Sequence, residues 1–427
     1  MMQSVTAKPR ERSEKKIARL MLFDLSIYGH HPGYIRYLLT YWHQQSFSGE
    51  IVVLVSPRFL VAHSDVVTLA KQLDSQRITF KAITQAEENS FRPRNSGLNR
   101  NLRNFQEWRI FCRYAKQLAI DHALVMYYDT YQYPLALRLN PPCSVSGIYF
   151  RPTFHYPQFA NPPQQHNHRK SRWEQWILTQ VLNNPRLSSL LTLDPFVTNY
   201  TPQTRPYQKI AYLPDPIKVC RYSQSRLQEI KASLSLDPKR KLFLLFGALT
   251  ERKGIYQLLE ALDLLPEEIS RQVAIALIGE ASADNQARIE QKIAALSKHS
   301  AAKAVQIYRQ YEFLPEADVQ AYYEISDVVL ALYQNHVGMS GILNLAAEKQ
   351  KPVLSTDYGL MGELVGRYDL GLAVDSSRPE AIAQGITTLL STETISPEQR
   401  QKMQQFAQQN HADKFAATIF GQLYSRH

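Results

Sequence analysis

The stretch KLFLLFGALTERKGIYQLLEAL, residues 241–262, places a strand, a turn and a helix in direct succession. Residues 242–246 form an apolar run of strand length, Gly247 interrupts it, and apolar residues then recur at the spacing of one helix face. A glycine lets the backbone approach a ligand, and a helix start offers unpaired N–H groups and the positive end of its dipole. Arg252 and Lys253 add two cations, so this turn suits a diphosphate. An ordinary crossover with a solvated basic pair is the alternative.

A second strand, turn and helix follow further on, in SDVVLALYQNHVGMSGILNLAAEKQKPVLSTDYGLMGELV, residues 326–365. A predicted strand at 328–332 runs into a loop of small residues at 336–341, and another strand is predicted at 352–355. Because the loop opens a helix, its backbone N–H groups could bind phosphate or sugar oxygens. Two turns of this kind in one domain favour a ligand site over an ordinary crossover.

Together the two stretches resemble the donor domain of nucleotide-sugar glycosyltransferases of the GT-B fold, in particular the retaining glycosyltransferase family 4. In that family the first turn has the pattern G-R-x-x-x-x-K-G and the second E-G-F-G-x-x-x-x-E-A-x-A-x-G-K-P-V. This chain has FGALTERKG and HVGMSGILNLAAEKQKPV, and the resemblance covers about residues 240–390 with order and spacing kept. It implies an α/β fold of two facing doubly wound, Rossmann-like domains with parallel sheets, and a nucleotide sugar in the cleft between them.

The chain departs from the family pattern at three charged positions. Ala248 stands where the family has its phosphate-binding arginine, although Lys253 and Gly254 keep the register and Arg252 could supply the missing charge. Both glutamates of the E-x7-E motif are absent, which leaves the identity of the donor open. The residues near the two glutamate positions are Val337 and Gly338 for the first and Asn344 and Leu345 for the second.

Further candidate residues follow predicted strands of the amino-terminal half, because ligands collect at the carboxyl ends of strands in open parallel sheets. The strand predicted at 17–27 runs into a glycine-rich loop that, by resemblance, faces the cleft. The strands predicted at 123–128 and 145–150 end at Asp129 and at the run from Arg151 to His155. The predicted catalytic residues are Lys253, Arg252, Asp129, Arg151 and His155. The predicted donor-binding residues are Gly29, His30, Gly33, Gly247, Gly279, Arg309, Tyr311, His336, Gly338, Met339, Ser340, Gly341, Asn344 and Glu348.

The resemblance explains several members of this set. The backbone near Arg309 to Tyr311 is where the family binds its nucleobase, and Asn344 or Glu348 could take over hydroxyl binding from the missing glutamates. The adjacent histidines at 30 and 31 are not completed to a metal site by an HExxH pattern or a carboxylate cluster. We therefore expect neither a metal nor another cofactor, and a UDP-, GDP- or ADP-sugar as donor.

Length and composition predict two domains. A chain of 427 residues that is 44% hydrophobic can bury two cores. We expect a disordered arm at 1–16, an acceptor domain at 17–215, a donor domain at 216–395, and helices at 396–427 that cross back to the first domain; the prolines at 214 and 216 mark the hinge. No apolar segment suggests a secretory signal, and three scattered cysteines suggest a reducing cytoplasm.

Charge is unevenly distributed along the chain. Residues 1–220 hold 27 Lys and Arg against 14 Asp and Glu, whereas residues 221–427 hold 22 against 24. A helix predicted at 99–119 would place Arg109, Arg113 and Lys116 on one face, which resembles an interfacial basic helix, although a packed helix with a solvated basic face fits as well. An anionic membrane surface is therefore an expected partner, with peripheral attachment to the inner face of the membrane. The run NPPQQHNHRKSRW, 161–173, predicts a mobile loop.

These observations favour a glycosyltransferase that acts on an acceptor hydroxyl of a glycan, a lipid-linked molecule or a small molecule, with retention as the resemblance implies. A catalytically silent GT-B protein that binds a nucleotide or a partner as a subunit is the alternative, because an arginine and two glutamates are missing. Nucleic acid is not expected as a partner, since the sequence shows no helix-turn-helix, zinc-finger or RNP-type pattern.

Overall fold

A computed structural model describes residues 17–162, 168–217, 219–296, 304–391 and 395–425. The arm predicted at 1–16 lies outside these ranges. Within them the chain forms two separate, wholly parallel sheets, of seven strands in the order β3-β2-β1-β4-β5-β6-β7 and of six in the order β10-β9-β8-β11-β12-β13. The strands are β1 Arg19–Asp24, β2 Glu50–Val55, β3 Ile78–Ala82, β4 His122–Val125, β5 Ser144–Tyr149, β6 Leu187–Thr192, β7 Ile210–Tyr212, β8 Lys241–Phe246, β9 Val273–Ile278, β10 Gln306–Gln310, β11 Val328–Ala331, β12 Val353–Thr356 and β13 Gly371–Val374.

Helices cover both faces of each sheet, which explains why the central strands are apolar without alternation. In β9 all six residues are buried, and β1 and β2 each bury five. The helices are α1 His31–Gln44, α2 Pro57–Ala62, α3 Ser64–Asp74, α4 Gln85–Asn89, α5 Gly97–Gln117, α6 Gln132–Ala136, α7 His168–Leu182, α8 Gln224–Ser233, α9 Ile255–Asp263, α10 Glu267–Ser270, α11 Ala283–Leu296, α12 Glu316–Ile325, α13 Gly341–Glu348, α14 Gly359–Tyr368, α15 Pro379–Ser391, α16 Pro397–Gln409 and α17 Ala412–Ser425.

Strand order reverses at one place in each sheet. β1 pairs with both β2 and β4, and β8 pairs with both β9 and β11. At such a switch point the connections leave toward opposite sides, and a crevice opens at the carboxyl ends of the two central strands. The loops after β1, β4, β8 and β11 are therefore the ones the fold offers for ligand binding. This arrangement of two doubly wound domains confirms the predicted fold class.

The two domains contact each other through an aromatic cluster. Phe159 and Phe196 belong to the first domain, but their side chains pack into the core of the second. The guanidinium carbon of Arg367 lies 4.5 Å from the ring centre of Phe196. The chain also crosses between the domains at two adjacent places. The N–H of Ile217 donates to the carbonyl of Asn410 at 2.8 Å, so the outgoing and returning segments are hydrogen-bonded to each other.

Two details differ from the sequence expectations. The crossing predicted from residue 396 occurs later, because α16 still buries Met403 and Phe406 in the second-domain core and only α17 packs on the first domain. The loop predicted at 161–173 is shorter, since α7 already begins at His168; residues 163–167 lie outside the described ranges. In the described part of the chain, no helix is long and apolar enough to cross a membrane.

Candidate active site

Lys253 lies in the turn after β8, and the local backbone fixes its side chain in the protein interior. Gly254 adopts φ 72°, and any Cβ there would stand 2.1 Å from the carbonyl oxygen of Leu332, so only glycine fits. The preceding Lys253 is 6% exposed and its Nζ donates to the hydroxyl of Tyr333 at 2.7 Å. A Cβ on Gly247 would lie 2.9 Å from this Nζ. The ammonium group therefore sits directly against the glycine that ends β8.

The surroundings of Lys253 favour an ammonium that is poised for an anion. Desolvation by burial lowers its pKa, while Tyr333, 4.5 Å from Nζ to the ring centre, works in the opposite direction. The hydrogen-bond partner of this buried ammonium is a neutral hydroxyl, and among the described residues no carboxylate forms an ion pair with it. An incoming negative charge would relieve the cost of its desolvation.

The hydrogen bond from Lys253 continues to the start of α13. The hydroxyl of Tyr333 lies 2.7 Å from Oγ of Ser340, which is the N-cap of that helix but makes no capping bond to it. Gly341, the first helical residue, is exposed, and a Cβ on it would meet nothing within 4 Å. The first residue of α13 thus borders open space, and its N-cap is linked through Tyr333 to a buried lysine.

Arg252 and His336 complete the second-domain side of the site. The guanidinium of Arg252 packs over the ring of Tyr333 at 5.4 Å and lies 3.4 Å from Nδ1 of His336. Nε2 of His336 is 3.2 Å from the carbonyl of Met339. Burial lowers the pKa of His336 to about 4, helped by three nearby cations, so the ring is neutral at pH 7. A neutral ring can donate from Nε2 to Met339 and accept from Arg252 at Nδ1.

Arg151 reaches this group from the first domain. Its Cγ lies 3.6 Å from the position of a Cβ on Gly338, and its guanidinium donates to the hydroxyl of Tyr127 at 2.7 Å. Met339 packs against the hydrophobic clusters of both domains at the same place. Three cationic side chains, Arg151, Arg252 and Lys253, therefore converge from two domains on the loop before α13.

Asp129 holds the turn that carries Arg151. Its two carboxylate oxygens accept the backbone N–H groups of Phe150 and Arg151 at 2.8 and 3.1 Å. Desolvation raises the pKa of Asp129 to about 6, although the two hydrogen bonds act to lower it. Because both oxygens are engaged by the protein, Asp129 orients Arg151 and is placed as a positioning residue.

The loop after β1 forms the opposite wall. Gly29 adopts φ 72°, and the ring of His30 stacks on Phe150 at 4.7 Å and on His31 at 4.8 Å. His31 in turn holds Asp24, with 2.5 Å between Nδ1 and Oδ2. A Cβ on Gly33 would meet nothing within 4 Å, so this glycine stands in open space.

Sequence reasoning missed Tyr333 and the pair of Asp24 and His31. Each follows or ends a central strand at a switch point: Asp24 is the last residue of β1, and Tyr333 comes two residues after β11. A polar residue at the end of an apolar run next to a predicted glycine turn is the signal that could have found them.

Gly279, Arg309 and Tyr311 lie on the outer side of the second sheet. Gly279 adopts φ 132°, and a Cβ there would stand 2.3 Å from the carbonyl of Gly247, so it closes the backbone of β9 onto that of β8. Nε of Arg309 is 3.2 Å from Oε1 of Glu290, and the hydroxyl of Tyr311 donates to the same oxygen at 2.8 Å. The end of β10 is thus held against α11 through Glu290.

Three predicted site residues, His155, Asn344 and Glu348, do not lie in the cleft. His155 is fully buried among aromatic rings, with Nε2 3.0 Å from Oδ2 of Asp194, because its 3₁₀ segment turns inward. Asn344 is also fully buried, and its Nδ2 donates to the carbonyl of Asp215 at 3.0 Å. It therefore braces the hinge instead of facing a hydroxyl.

Glu348 is misplaced for a different reason. It is the last residue of α13, about 10 Å along the helix axis from the first. It lines a cavity of about 650 Å³ at the opposite edge of the sheet, together with Lys241 and Lys351. Among the residues that the structure describes, no group of His, Cys, Asp or Glu side chains has the geometry to hold a metal ion.

Comparisons with known proteins agree with this architecture. Residues 227–410 match the family model described as glycosyl transferases group 1. No curated protein matches the sequence. Among solved structures, Anabaena Alr3699/HepE in complex with UDP superposes with a TM-score of 0.64 at 12% identity, covering 95% of this chain and 100% of that one. Sucrose-phosphate synthase from Thermosynechococcus elongatus gives 0.64 at 15% identity, with 95% and 99% covered. A glycosyltransferase from Rickettsia africae gives 0.61 at 13%, with 96% and 98% covered.

The chain therefore has the fold of these solved glycosyltransferases, and residues 227–410 resemble the glycosyl transferases group 1. The part that matches glycosyl transferases group 1 is the one that contributes Arg252, Lys253 and α13 to the cleft.

Proposed function

We propose that this chain transfers a sugar from a nucleotide-sugar donor to an acceptor hydroxyl, with retention of configuration at the transferred carbon. The observation that carries the proposal is the buried Lys253 ammonium, which lies against Gly247 and is linked through Tyr333 to the open start of α13. This arrangement suits a diphosphate, which needs both a charged donor and oriented backbone N–H groups.

The protein's main task in this reaction is to stabilise the departing diphosphate. Charge grows on the phosphate oxygens as the bond to the sugar breaks, and a cation already in place is worth most at that moment. Lys253 would contact that charge directly, and the N–H groups of α13 would bind the phosphate next to it. A leaving-group oxygen on the same face of the sugar can accept the proton of the acceptor hydroxyl, so that the bond to the new oxygen forms with retention.

Arg151 can compensate for the arginine that the family has at the position of Ala248. Because it approaches Gly338 from the first domain, it can supply a cation from across the cleft. Arg252 is held on Tyr333 and His336 and adds a further positive charge from the donor side. Binding of a diphosphate between them would draw the two domains together.

The acceptor would lie against the first domain. The loop from Gly29 to Gly33 and the hydroxyl of Tyr127 supply an aromatic wall with a few polar groups, which suits a sugar or a lipid-linked sugar better than a highly charged molecule. UDP-glucose is the first donor to test, since Alr3699/HepE has been solved in complex with it.

Release of nucleoside diphosphate from a panel of UDP-, GDP- and ADP-sugars tests the proposal. We expect one base and one sugar to be preferred, and Lys253→Met to lose this turnover while Lys239→Met, a change at an exposed lysine, keeps it. Turnover that is equal in wild type and Lys253→Met would refute the assignment of the site.

A catalytically silent, nucleotide-binding protein is the second candidate. It is favoured by one observation: Ala248 and the absent glutamate pair leave fewer charged contacts than the family pattern provides. Tight binding of a nucleoside diphosphate by calorimetry, without release from any sugar donor or transfer to any acceptor, would support it.

A further inference from the structure

Helix α7 has an inner face that is fully accounted for by packing and hydrogen bonds. Ile177, Leu178 and Val181 are buried against the first sheet. Glu174, the only acidic residue in the helix sequence, accepts the hydroxyl of Tyr149 at 2.8 Å and both the N–H and the hydroxyl of Thr153 at 2.9 and 2.8 Å. The only carboxylate of the helix is therefore used in hydrogen bonds within the protein.

The outer face carries two tryptophans that the fold leaves open to solvent. Trp173 and Trp176 are 53% and 50% exposed, and their rings stack at 4.9 Å. The chain has four tryptophans, and the other two, Trp42 and Trp108, are each 1% exposed. Large aromatic side chains that are grouped and exposed to solvent are typical of a contact surface.

Basic residues accompany these rings. Lys170 and Arg172 are exposed in the first turns of α7. Cations at a helix start oppose the positive end of the helix dipole, so they lower the stability of α7 rather than raise it. Their placement is better explained by an external anionic partner than by the stability of the helix.

The position of this surface relates it to the cleft. α7 runs antiparallel to the strands and precedes β6, so its first turns lie at the carboxyl edge of the sheet, where Arg151 and the loop after β1 also lie. α5 starts at the same edge, with Leu98 72% and Leu102 42% exposed. Two helix starts therefore present apolar side chains on the cleft side of the first domain.

Of the three basic residues predicted on one face of α5, Arg113 pairs with Glu87, whereas Arg109 and Lys116 are exposed. Other basic residues of this region hold the helix and its preceding loop together, because Arg103 and Arg94 pair with the buried Glu107 at 2.6 and 3.2 Å. The surface that combines open cations with open aromatic rings is on α7.

We propose that the outer face of α7, formed by Arg172, Trp173 and Trp176 and flanked by the exposed Lys170 at the helix start, binds the surface of a membrane that contains anionic phospholipids. The indole rings would lie at the level of the head groups, where aromatic side chains with one polar atom are favoured, and the two cations would lie against lipid phosphates. The cleft would then open close to the membrane, within reach of a lipid-linked acceptor. The proposal does not depend on turnover, because binding is measured without donor or acceptor.

Tryptophan emission provides a direct test, because the two buried tryptophans contribute a background that lipid cannot reach. With vesicles of phosphatidylcholine and phosphatidylglycerol, we expect the wild-type emission to shift to shorter wavelength and brominated lipid to quench it. Phosphatidylcholine alone should give a much smaller change. In the Trp173→Ser, Trp176→Ser double variant both responses should vanish, and the protein should no longer float with the vesicles.

Two further variants separate charge from apolar contact. Lys170→Gln and Arg172→Gln should each lower vesicle affinity by about fivefold at low salt and by less at high salt. Phe313→Ser, which removes an exposed aromatic ring of the second domain, is the matched control and should bind as wild type does. The proposal is overturned if emission and flotation are the same for both lipid mixtures. It is also overturned if the protein forms a dimer without lipid in which Trp173 and Trp176 are already shielded from acrylamide.

Discussion

The two glycine turns at the switch points reach the same cleft by different routes. The turn after β8 supplies its charged groups from one continuous stretch, from Gly247 to Lys253, and their partners, Tyr333 and His336, both come from the loop after β11. The turn after β1 takes its shape from the ends of two strands, because His30 stacks on Phe150 after β5 and His31 holds Asp24 at the end of β1. The second-domain side of the cleft is therefore a local motif, whereas the first-domain side is assembled by the fold.

The difference predicts which substitutions change the use of the donor and which change the use of the acceptor. Substitutions in the turn after β8 should lower donor turnover with every acceptor. Substitutions in the wall formed by the turn after β1 should lower activity by a factor that depends on the acceptor offered.

The largest effect is expected at Lys253. Lys253→Met keeps the buried aliphatic stem and removes the charge, so kcat should fall by a hundredfold or more, on the order of 3 to 4 kcal/mol of transition-state stabilisation. Steady-state kinetics and thermal unfolding check this together. Methionine is preferable to alanine, because a cavity at a residue that is 6% exposed would itself cost stability. Near-normal kcat in Lys253→Met would place the diphosphate elsewhere.

The next effect concerns the hinge. Desolvation raises the pKa of Asp215 to about 6, and its Oδ1 accepts the hydroxyl of Tyr34 at 2.5 Å. A carboxyl whose pKa is higher in the folded state contributes stability below its unfolded pKa of about 4, and this contribution is lost as pH rises through about 6.

Asp215→Asn should therefore remove part of the pH dependence of unfolding. Between pH 4 and pH 7 the free energy of unfolding of wild type should fall by about 2 kcal/mol relative to the variant, as measured by urea titration. Asp263→Asn, at an exposed position, should follow wild type at both pH values. Parallel curves for wild type and Asp215→Asn would mean that the hinge carboxyl does not titrate in this range.

A smaller effect is expected at the start of α13. Gly341→Val places a branched side chain where the donor phosphate would approach, and the donor KM should rise about tenfold, which corresponds to about 1.4 kcal/mol. The melting temperature should not change, since a Cβ at this site meets nothing within 4 Å. Unchanged donor KM in the folded variant would exclude this helix start from the site.

The smallest effect distinguishes the acceptor wall. Tyr127→Phe removes the hydroxyl that accepts from Arg151 at 2.7 Å and should cost about 1 kcal/mol, a factor of about five in kcat/KM. If the hydroxyl of Tyr127 also contacts the acceptor, this factor should differ between acceptors. An equal loss for every acceptor, with a raised donor KM, would mean that the hydroxyl acts only by holding Arg151 toward the donor diphosphate.

Sequence reasoning succeeded where the information is contiguous. The strand at 242–246, its glycine and the following helix were predicted together, because a buried strand and an amphipathic helix have distinct periods and the turn between them contains glycine. Strands β6, β7, β9 and β13 were not predicted. β6 carries two serines among its apolar residues, and β7 and β13 have only three and four residues, whereas β9 is a continuous apolar run that the sequence does show.

The errors have a common physical origin. Asn344 and Glu348 were assigned to the donor because they lie near the positions of the absent glutamates, but the register of α13 turns Asn344 into the hinge and carries Glu348 to the other end of the helix. His155 follows a strand end as a ligand residue would, yet its segment folds inward onto Asp194. Whether a side chain points into the cleft depends on contacts between segments far apart in sequence.

The return of α17 to the first domain has a consequence for how the protein is made. Phe415, Phe420 and Leu423 complete a core whose other members, such as Tyr34 and Leu38, belong to the first strand-helix unit. During synthesis the amino-terminal domain leaves the ribosome long before these side chains exist, so it must wait with an open apolar face until residue 425 has emerged. A chain halted before α17 would expose that face, and chaperones or proteases that recognise apolar surface would be expected to bind the nascent protein during this interval.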